Sequence, residues 1–136
     1  MKVLIDTNCY AALLRGDESV ARILDSATTV YLSTIVAGEL LTGFLGGTRE
    51  KQNRKELEEF ICSADRIIVL DVTMETAHRF AHIKDSLRRR GKPIPLNDIW
   101  IAAQCMETGA TLLSRDGHFR AVEGLLLRMP DDSQHV

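Results

Sequence analysis

Short apolar runs alternate with longer segments of helical periodicity along the chain. The apolar runs contain few polar positions and are rich in the aliphatic residues of buried strands. We predict strands at 3–5, 28–32, 66–71 and 111–114, with a weaker fifth at 125–128. The alternation of such strands with helices indicates the α/β class, as a three-layer α/β/α domain around a mostly parallel sheet of four or five strands.

The segments between the strands have the apolar spacing and the end signals of helices. We predict helices near 8–15 and 18–27, then at about 35–45, 49–64, 73–90 and 97–108. Gly46, Gly91 and Gly109 follow three of these segments, where a glycine commonly ends a helix. A chain of 136 residues fits one domain, which we place at 1–130, followed by a polar C-terminal tail at 131–136.

The composition is that of an ordinary globular protein. Hydrophobic residues make up 45% and charged residues 26% of the chain, and no apolar run approaches the roughly 20 residues that span a bilayer. Asp6 interrupts the N-terminal apolar run too early for a secretory signal, so we expect a cytoplasmic protein with no membrane association. Cys9, Cys62 and Cys105 form no C-x-x-C pair, and we expect them to be reduced and mostly buried.

Charge limits how the protein can attract a polyanion. The formal net charge of −2 provides no strong global field, in contrast to chains with a large excess of basic residues. If the substrate is nucleic acid, local basic groups and metal ions must attract it.

Two acidic residues directly follow predicted strands. Asp6 comes after the first strand and Asp116 comes after the fourth. In open parallel α/β sheets, ligands bind beyond the carboxyl ends of the strands, where the strand order reverses. Taken singly, a helix cap at Asp6 and an Asp-Gly turn at Asp116 explain these residues without any function.

Two further acids lie on helix faces that carry apolar residues. Glu39 shares its face with Ile35 and Val36, so it should point towards the core or a cleft, where an unpaired carboxylate is costly. Asp98 shares its face with Ile101. An ion pair with an arginine for Glu39, and a favourable helix dipole for Asp98, are the alternatives that require no function.

Taken together, the four acids are expected near one end of one sheet. Carboxylates gathered in a cleft repel one another unless a cation lies between them. Mg²⁺ and Mn²⁺ prefer such hard oxygen ligands, and a divalent ion held this way suits phosphoryl transfer. The pattern therefore indicates a divalent metal site that acts on phosphate.

The same acids stand in motifs that resemble those of the PIN-domain family. That family has an Asp in D-T-N or D-T-S after the first strand, a Glu in a helical G-E-L, an Asp before I-A-A, and an Asp in S/T-x-D after a later strand. The corresponding segments here are 6–8, 38–40, 97–103 and 114–116. Each motif is short, but all of them in this order are specific. The resemblance extends from about residue 2 to residue 127 and implies a PIN-like fold.

Within that family the chain is similar to the VapC toxins. The similarity lies in its length, in residues 91–95 before Asp98, and in residues 117–119 after Asp116. It implies an endoribonuclease that depends on Mg²⁺ or Mn²⁺ and leaves a 5′-phosphate and a 3′-hydroxyl. It also implies a homodimer and a VapB-like antitoxin whose C-terminal segment obstructs the acidic cleft.

The resemblance also implies roles for individual residues. The expected catalytic and metal-holding residues are Asp6, Glu39, Asp98 and Asp116. The expected supporting residues are Thr7, Asn8 and Ser114. His118 is a departure, because some relatives carry a further Asp there, and this leaves the number of metal ions open.

Basic residues near these motifs have two interpretations. Arg88 lies near a helix C-terminus, where a cation is favoured by the helix dipole, and Lys92 and Arg115 flank the acidic motifs. All three are equally consistent with contacts to RNA phosphates. His78 and His82 lie one helical turn apart, but no Glu follows His78 as a zinc-protease motif requires, so a structural role is favoured.

Other functions are also compatible with the fold. A haloacid-dehalogenase-type phosphotransferase also has an Asp after its first strand, but it requires a second Asp where this chain has Asn8. A receiver domain requires a lysine after a late strand, and none follows residues 111–113. A non-catalytic binding module of the same fold is the third alternative, and the presence of all four acids argues against it.

Overall fold

Five parallel strands form the central sheet of the structure, a computed structural model that describes residues 1–131. The strands are β1 Lys2–Ile5, β2 Thr29–Ser33, β3 Ile67–Leu70, β4 Thr111–Leu113 and β5 Leu127–Arg128. The predicted α/β class and strand number are therefore confirmed, and the sheet is parallel throughout. Of the predicted tail only Asp131 lies within the described residues, and its division from the domain stays a prediction.

Between the described strands lie six α-helices and a short 3₁₀ helix after β4. The α-helices are α1 Thr7–Leu14, α2 Glu18–Ser26, α3 Thr34–Leu45, α4 Glu50–Cys62, α5 Met74–Arg89 and α6 Leu96–Thr108. The 3₁₀ helix spans Gly117–Ala121 and was not predicted. Gly109 adopts a left-handed conformation (φ 75°) directly after α6, as expected for a glycine that ends a helix.

The strand order determines where a ligand can bind. The sheet runs β3-β2-β1-β4-β5, so the chain builds outwards from β1 on one side and then crosses to the other side with β4. Ile5 pairs with Leu113, and the backbone N–H of Asp6 donates to the Leu113 carbonyl at 3.2 Å. The carboxyl ends of β1 and β4 are therefore adjacent at the point where strand order reverses, the usual ligand position in this fold class.

The core lies on both faces of the central strands. The residues of β1 from Val3 to Ile5 are completely buried, and so are Leu112 and Leu113 of β4. A second cluster fills the space between α5 and α6. It contains Ile83, Leu87, Ile99, Ala102, Ala103 and Val122. The packing of these buried side chains anchors α6, which carries one of the four acids, against the rest of the domain.

Burial is incomplete at two places in the structure. The apolar run of β3 indicated a buried strand, but β3 is an edge strand, and Ile68 and Val69 are 44% and 42% exposed. An edge strand has only one neighbouring strand, so less of the protein covers it. Cys9 and Cys105 are buried as expected, whereas Cys62 is exposed at the end of α4, and all three are free thiols. Within residues 1–131, no helix has the length and apolarity needed to cross a membrane.

Candidate active site

Asp6 is placed by the junction between β1 and α1. Its Oδ1 accepts a hydrogen bond from the backbone N–H of Cys9 at 2.9 Å, which makes it the N-cap of α1, and it is only 6% exposed. Burial raises the pKa of Asp6, and the hydrogen bonds from Ser114 and Cys9 act in the opposite direction. The predicted cap role is confirmed, and it holds the carboxylate at the end of β1.

Glu39 reaches the same region from α3. Its Oε1 accepts a hydrogen bond of 2.7 Å from Thr7 Oγ1, and the amide of Asn97 lies 3.4 Å from its Oε2. The alternative of an arginine partner is not supported, because no salt bridge involves Glu39 within residues 1–131. Its partners are thus neutral, and its charge is not balanced by a side-chain cation.

Asp98 lies in the first turn of α6, with a side chain that is 16% exposed. Burial raises the pKa of Asp98 to about 6, and the negative charges of Asp116 and Glu39 act in the same direction. His118 opposes this shift. The other acids therefore lie close enough to Asp98 to make its ionisation costly.

Asp116 follows β4 and begins the 3₁₀ helix. Its Oδ1 accepts a hydrogen bond of 2.9 Å from the backbone N–H of His118, and its own backbone N–H donates to Ser114 Oγ at 3.0 Å. Ser114 is completely buried. The turn thus orients Asp116 through backbone contacts. Ser114 hydrogen-bonds to Asp6 and to the backbone N–H of Asp116, and its supporting role stays a prediction.

His118 joins the acids, which the sequence did not predict. Its Nδ1 lies 3.0 Å from Asp116 Oδ1 and 3.5 Å from Asp98 Oδ2. One ligand atom from each of these three side chains falls within 4.8 Å of the other two. The signal that was available is the D-x-H spacing, because a tight turn can bring side chains two residues apart to the same side.

The acids line one cleft of about 160 Å³. Its walls are formed by Asp6, Thr7, Asn8, Glu39, Asp98, Ile101, Asp116 and Phe119. Among the described residues, no lysine or arginine lines this cleft. Four carboxylates with no lysine or arginine beside them fit a divalent cation, whose charge would offset both the burial and the mutual repulsion that raise the pKa of Asp98. The structure thus brings together every predicted acid, and their roles as ligands stay a prediction.

Comparison with known proteins supports the same assignment of fold. The model of the PIN domain family matches residues 3–125. The chain belongs to the PIN domain family. The resemblance drawn from the motifs is therefore confirmed, over the extent that they indicated.

Named relatives of this PIN domain include ribonucleases and a toxin. Ribonuclease VapC2 of Haemophilus influenzae is 31% identical over 118 residues, which cover 85% of this chain and 87% of the relative. Toxin FitB of Neisseria gonorrhoeae is 34% identical over 131 residues, which cover 89% and 93%. The crystal structure of VapBC2 from Rickettsia felis, bound to a DNA fragment from their promoter, has a TM-score of 0.82 at 25% identity. That match covers 94% of this chain and 98% of the other.

The basic residues proposed for RNA contact in this PIN domain differ in their surroundings. Arg115 is adjacent to Asp116 in sequence, but its guanidinium forms ion pairs with Asp17 at 2.8 Å and Asp131 at 3.1 Å. Arg88 pairs with Asp85 at 2.6 Å on the surface of α5. Lys92 is exposed in the turn before α6. Their contact with RNA stays a prediction.

The two histidines of α5 do not form a second site in this PIN domain. His78 and His82 are both exposed. Neither belongs to a group of three or more potential metal ligands within residues 1–131. The interpretation of this pair as a metal motif therefore gains no support.

Proposed function

We propose that the protein is a Mg²⁺- or Mn²⁺-dependent endoribonuclease, the toxin of a VapBC-type toxin-antitoxin pair. The observation that carries this proposal is the convergence of Asp6, Glu39, Asp98 and Asp116 in one cleft that no lysine or arginine among the described residues lines. The names of the relatives, ribonuclease VapC2 and toxin FitB, support the choice of RNA among phosphate-containing substrates.

Residues from several elements of the fold would hold such an ion in the cleft. Asp6 and Asp116 present carboxylate oxygens from the switch point of the sheet, Asp98 does so from the first turn of α6, and Glu39 approaches from α3, oriented by Thr7. A divalent ion bound there would supply the positive charge that activates water and neutralises the attacked phosphate. We assign the support of the carboxylates to Asn8, which lines the cleft, and to the buried Ser114, which hydrogen-bonds to Asp6. The protein needs no side-chain nucleophile.

The products are those that the resemblance to the VapC toxins implies. Attack of water on phosphorus would break the bond to the 3′ oxygen, so that the cut RNA carries a 3′-hydroxyl and a 5′-phosphate. We assign phosphate contacts outside the cleft to Arg88, Lys92 and Arg115. The ion pairs of Arg115 with Asp17 and Asp131 would have to exchange for contacts with RNA phosphates.

The biological assembly is part of the same proposal. A homodimer in the cytoplasm, with a VapB-like antitoxin bound, fits the similarity to the VapBC2 structure. The C-terminal segment of the antitoxin would obstruct the acidic cleft, so that RNA cleavage appears only when the toxin is free.

Asp6→Asn and Asp98→Asn test this function. The asparagine at position 6 keeps an oxygen that can accept from Cys9 N–H, so the α1 cap and the fold are retained while a charge is lost. We expect Mn²⁺-dependent cleavage of RNA to fall by at least about 100-fold in each variant. The measurement is the rate at which new 5′-phosphate ends form on a defined RNA.

Asp71→Asn is the matched control. Asp71 also follows a strand, β3, but it is exposed and lies outside the cleft. The Asp71→Asn substitution should leave the rate of RNA cleavage unchanged within about twofold, as is usual for a surface substitution. Purified Asp6→Asn or Asp98→Asn that cleaves at the wild-type rate would exclude the proposed function.

A further inference from the structure

His118 is held at the cleft by the turn on which it lies. The backbone N–H of His118 donates a hydrogen bond to the carboxylate of Asp116, and this bond fixes the start of the 3₁₀ helix. The next residue, Phe119, is 2% exposed and packs into the core. The turn is thus restrained on both sides of His118, and the ring lies against the carboxylates although its side chain is 55% exposed.

The distances around Nδ1 suit a shared metal ion. Nδ1 lies 3.0 Å from an oxygen of Asp116 and 3.5 Å from an oxygen of Asp98. For metal–ligand bonds of about 2.1 Å, adjacent ligands of an octahedron are separated by about 3 Å. An ion can therefore be held by these three atoms with only small side-chain movements.

A ring nitrogen changes which ion such a site prefers. Mg²⁺ and Mn²⁺ both favour oxygen ligands, but Mg²⁺ gives up its water reluctantly, so a nitrogen ligand disfavours Mg²⁺ more than it disfavours Mn²⁺. We propose that Nδ1 of His118 is a ligand of the divalent ion together with Asp98 and Asp116, and that it makes the site prefer Mn²⁺ to Mg²⁺. The inference rests on the proposed function, because it concerns the same metal centre.

The first test observes the nitrogen directly. Pulsed electron paramagnetic resonance of the Mn²⁺-loaded wild-type protein should show a ¹⁴N coupling from a coordinated imidazole. The coupling should disappear in His118→Ala and persist in His78→Ala, the control at an exposed histidine of α5. A Mn²⁺ signal without nitrogen coupling, or a coupling that survives in His118→Ala, would overturn the proposal.

The second test measures ion preference by titration calorimetry with Mn²⁺ and with Mg²⁺. Loss of the nitrogen in His118→Ala should weaken Mn²⁺ binding by at least about tenfold and Mg²⁺ binding by less than about threefold. His118→Asp, which makes the ligand set entirely oxygen, should shift the preference towards Mg²⁺. Thermal melting of each variant checks that the fold is retained. An unchanged ratio of the two affinities in both variants would contradict the proposal.

These outcomes separate the ligand assignment from the function. If His118 is only an ion-pair partner of the acids, the spectra lack nitrogen coupling while Asp6→Asn and Asp98→Asn still lose RNA cleavage. If the wild-type protein binds neither ion at millimolar concentration, the metal centre itself is absent, and the inference and the proposed function both fail.

Discussion

Asp98 carries a cost of being buried among other acids. Its side chain is mostly buried, and Asp116 and Glu39 add repulsion, so its pKa rises to about 6. In the unfolded chain the same group ionises in the usual range near 4. At neutral pH without a metal, the folded protein therefore holds a charge that it stabilises less well than water does.

This cost predicts a pH dependence for the metal-free protein. Between about pH 4 and pH 6 the folded state binds more protons at Asp98 than the unfolded state, so this residue's contribution to stability falls as pH rises and is constant above that range. Asp98→Asn removes the contribution. We expect the gain in free energy of unfolding from Asp98→Asn to be about 1–2 kcal/mol larger at pH 7.5 than at pH 4.5.

The measurement is urea unfolding of both proteins in a chelator at the two pH values. Comparison of the variant with the wild type cancels the titration of distant groups, because they are present in both proteins. An equal gain at both pH values would contradict the raised pKa of Asp98.

At the scale of elements, one hydrogen-bond chain joins the sheet to two helices near the cleft. Ser33 ends β2, and its Oγ accepts from Ile35 N–H at 3.0 Å as the N-cap of α3. The same hydroxyl donates to Gln104 Oε1 of α6, and Gln104 Nε2 donates to the carbonyl of Leu70 at 3.2 Å. Ser33 and Gln104 are completely buried. This chain links the helix that carries Glu39 to the helix that carries Asp98.

Ser33→Ala should be strongly destabilising for that reason. It removes a helix cap and leaves the buried Gln104 oxygen without its donor, which together cost about 2–4 kcal/mol. Ser63→Ala, at the exposed end of α4, is the control and should change stability by less than about 0.5 kcal/mol. Denaturant unfolding measures both. A Ser33→Ala protein as stable as the control would show that Gln104 finds another donor.

Strands and helices were predictable from the sequence where a single local signal dominates, such as an apolar run or a glycine that ends a helix. The strands β1 and β4 each begin with one polar residue and continue as a short buried apolar run, and Gly109 ends α6 where the sequence places the break. The 3₁₀ helix at Gly117–Ala121 was missed because it is too short to show a period. Its stability comes from the Asp116 cap and the buried Phe119, which depend on the folded sheet.

The edges of elements depend on neighbours that a sequence does not reveal. The fifth strand was predicted at 125–128, but only Leu127–Arg128 pairs with β4. The exposure of Ile68 and Val69 follows from the position of β3 at the edge, and their apolar character alone suggested full burial. Strand order, not local pattern, decides both cases.

At the scale of the whole molecule, the cleft is a product of topology. Asp6, Glu39, Asp98 and Asp116 come from four distant parts of the chain and meet only when the sheet and α6 are in place. The four acids were predictable because strand ends and helix faces mark them. His118 was noted only as a departure from an acidic position of relatives and not as a partner of the acids, because its approach depends on a turn whose conformation the sequence pattern does not specify.

Because the ligand set exists only in the folded chain, a metal ion that binds there must stabilise the whole protein. Binding to the native state alone adds RT ln(1 + [L]/Kd), about 2.7 kcal/mol when the ion is at 100 times its Kd. For a domain of this size that corresponds to a rise in melting temperature of roughly 10 °C. We expect Mn²⁺ to produce a rise of this order in the wild type and in Asp71→Asn, and little or none in Asp98→Asn. Thermal melting across a Mn²⁺ titration measures it, and a wild-type curve that does not move up to millimolar Mn²⁺ would mean that the acids meet in the fold without forming a metal site.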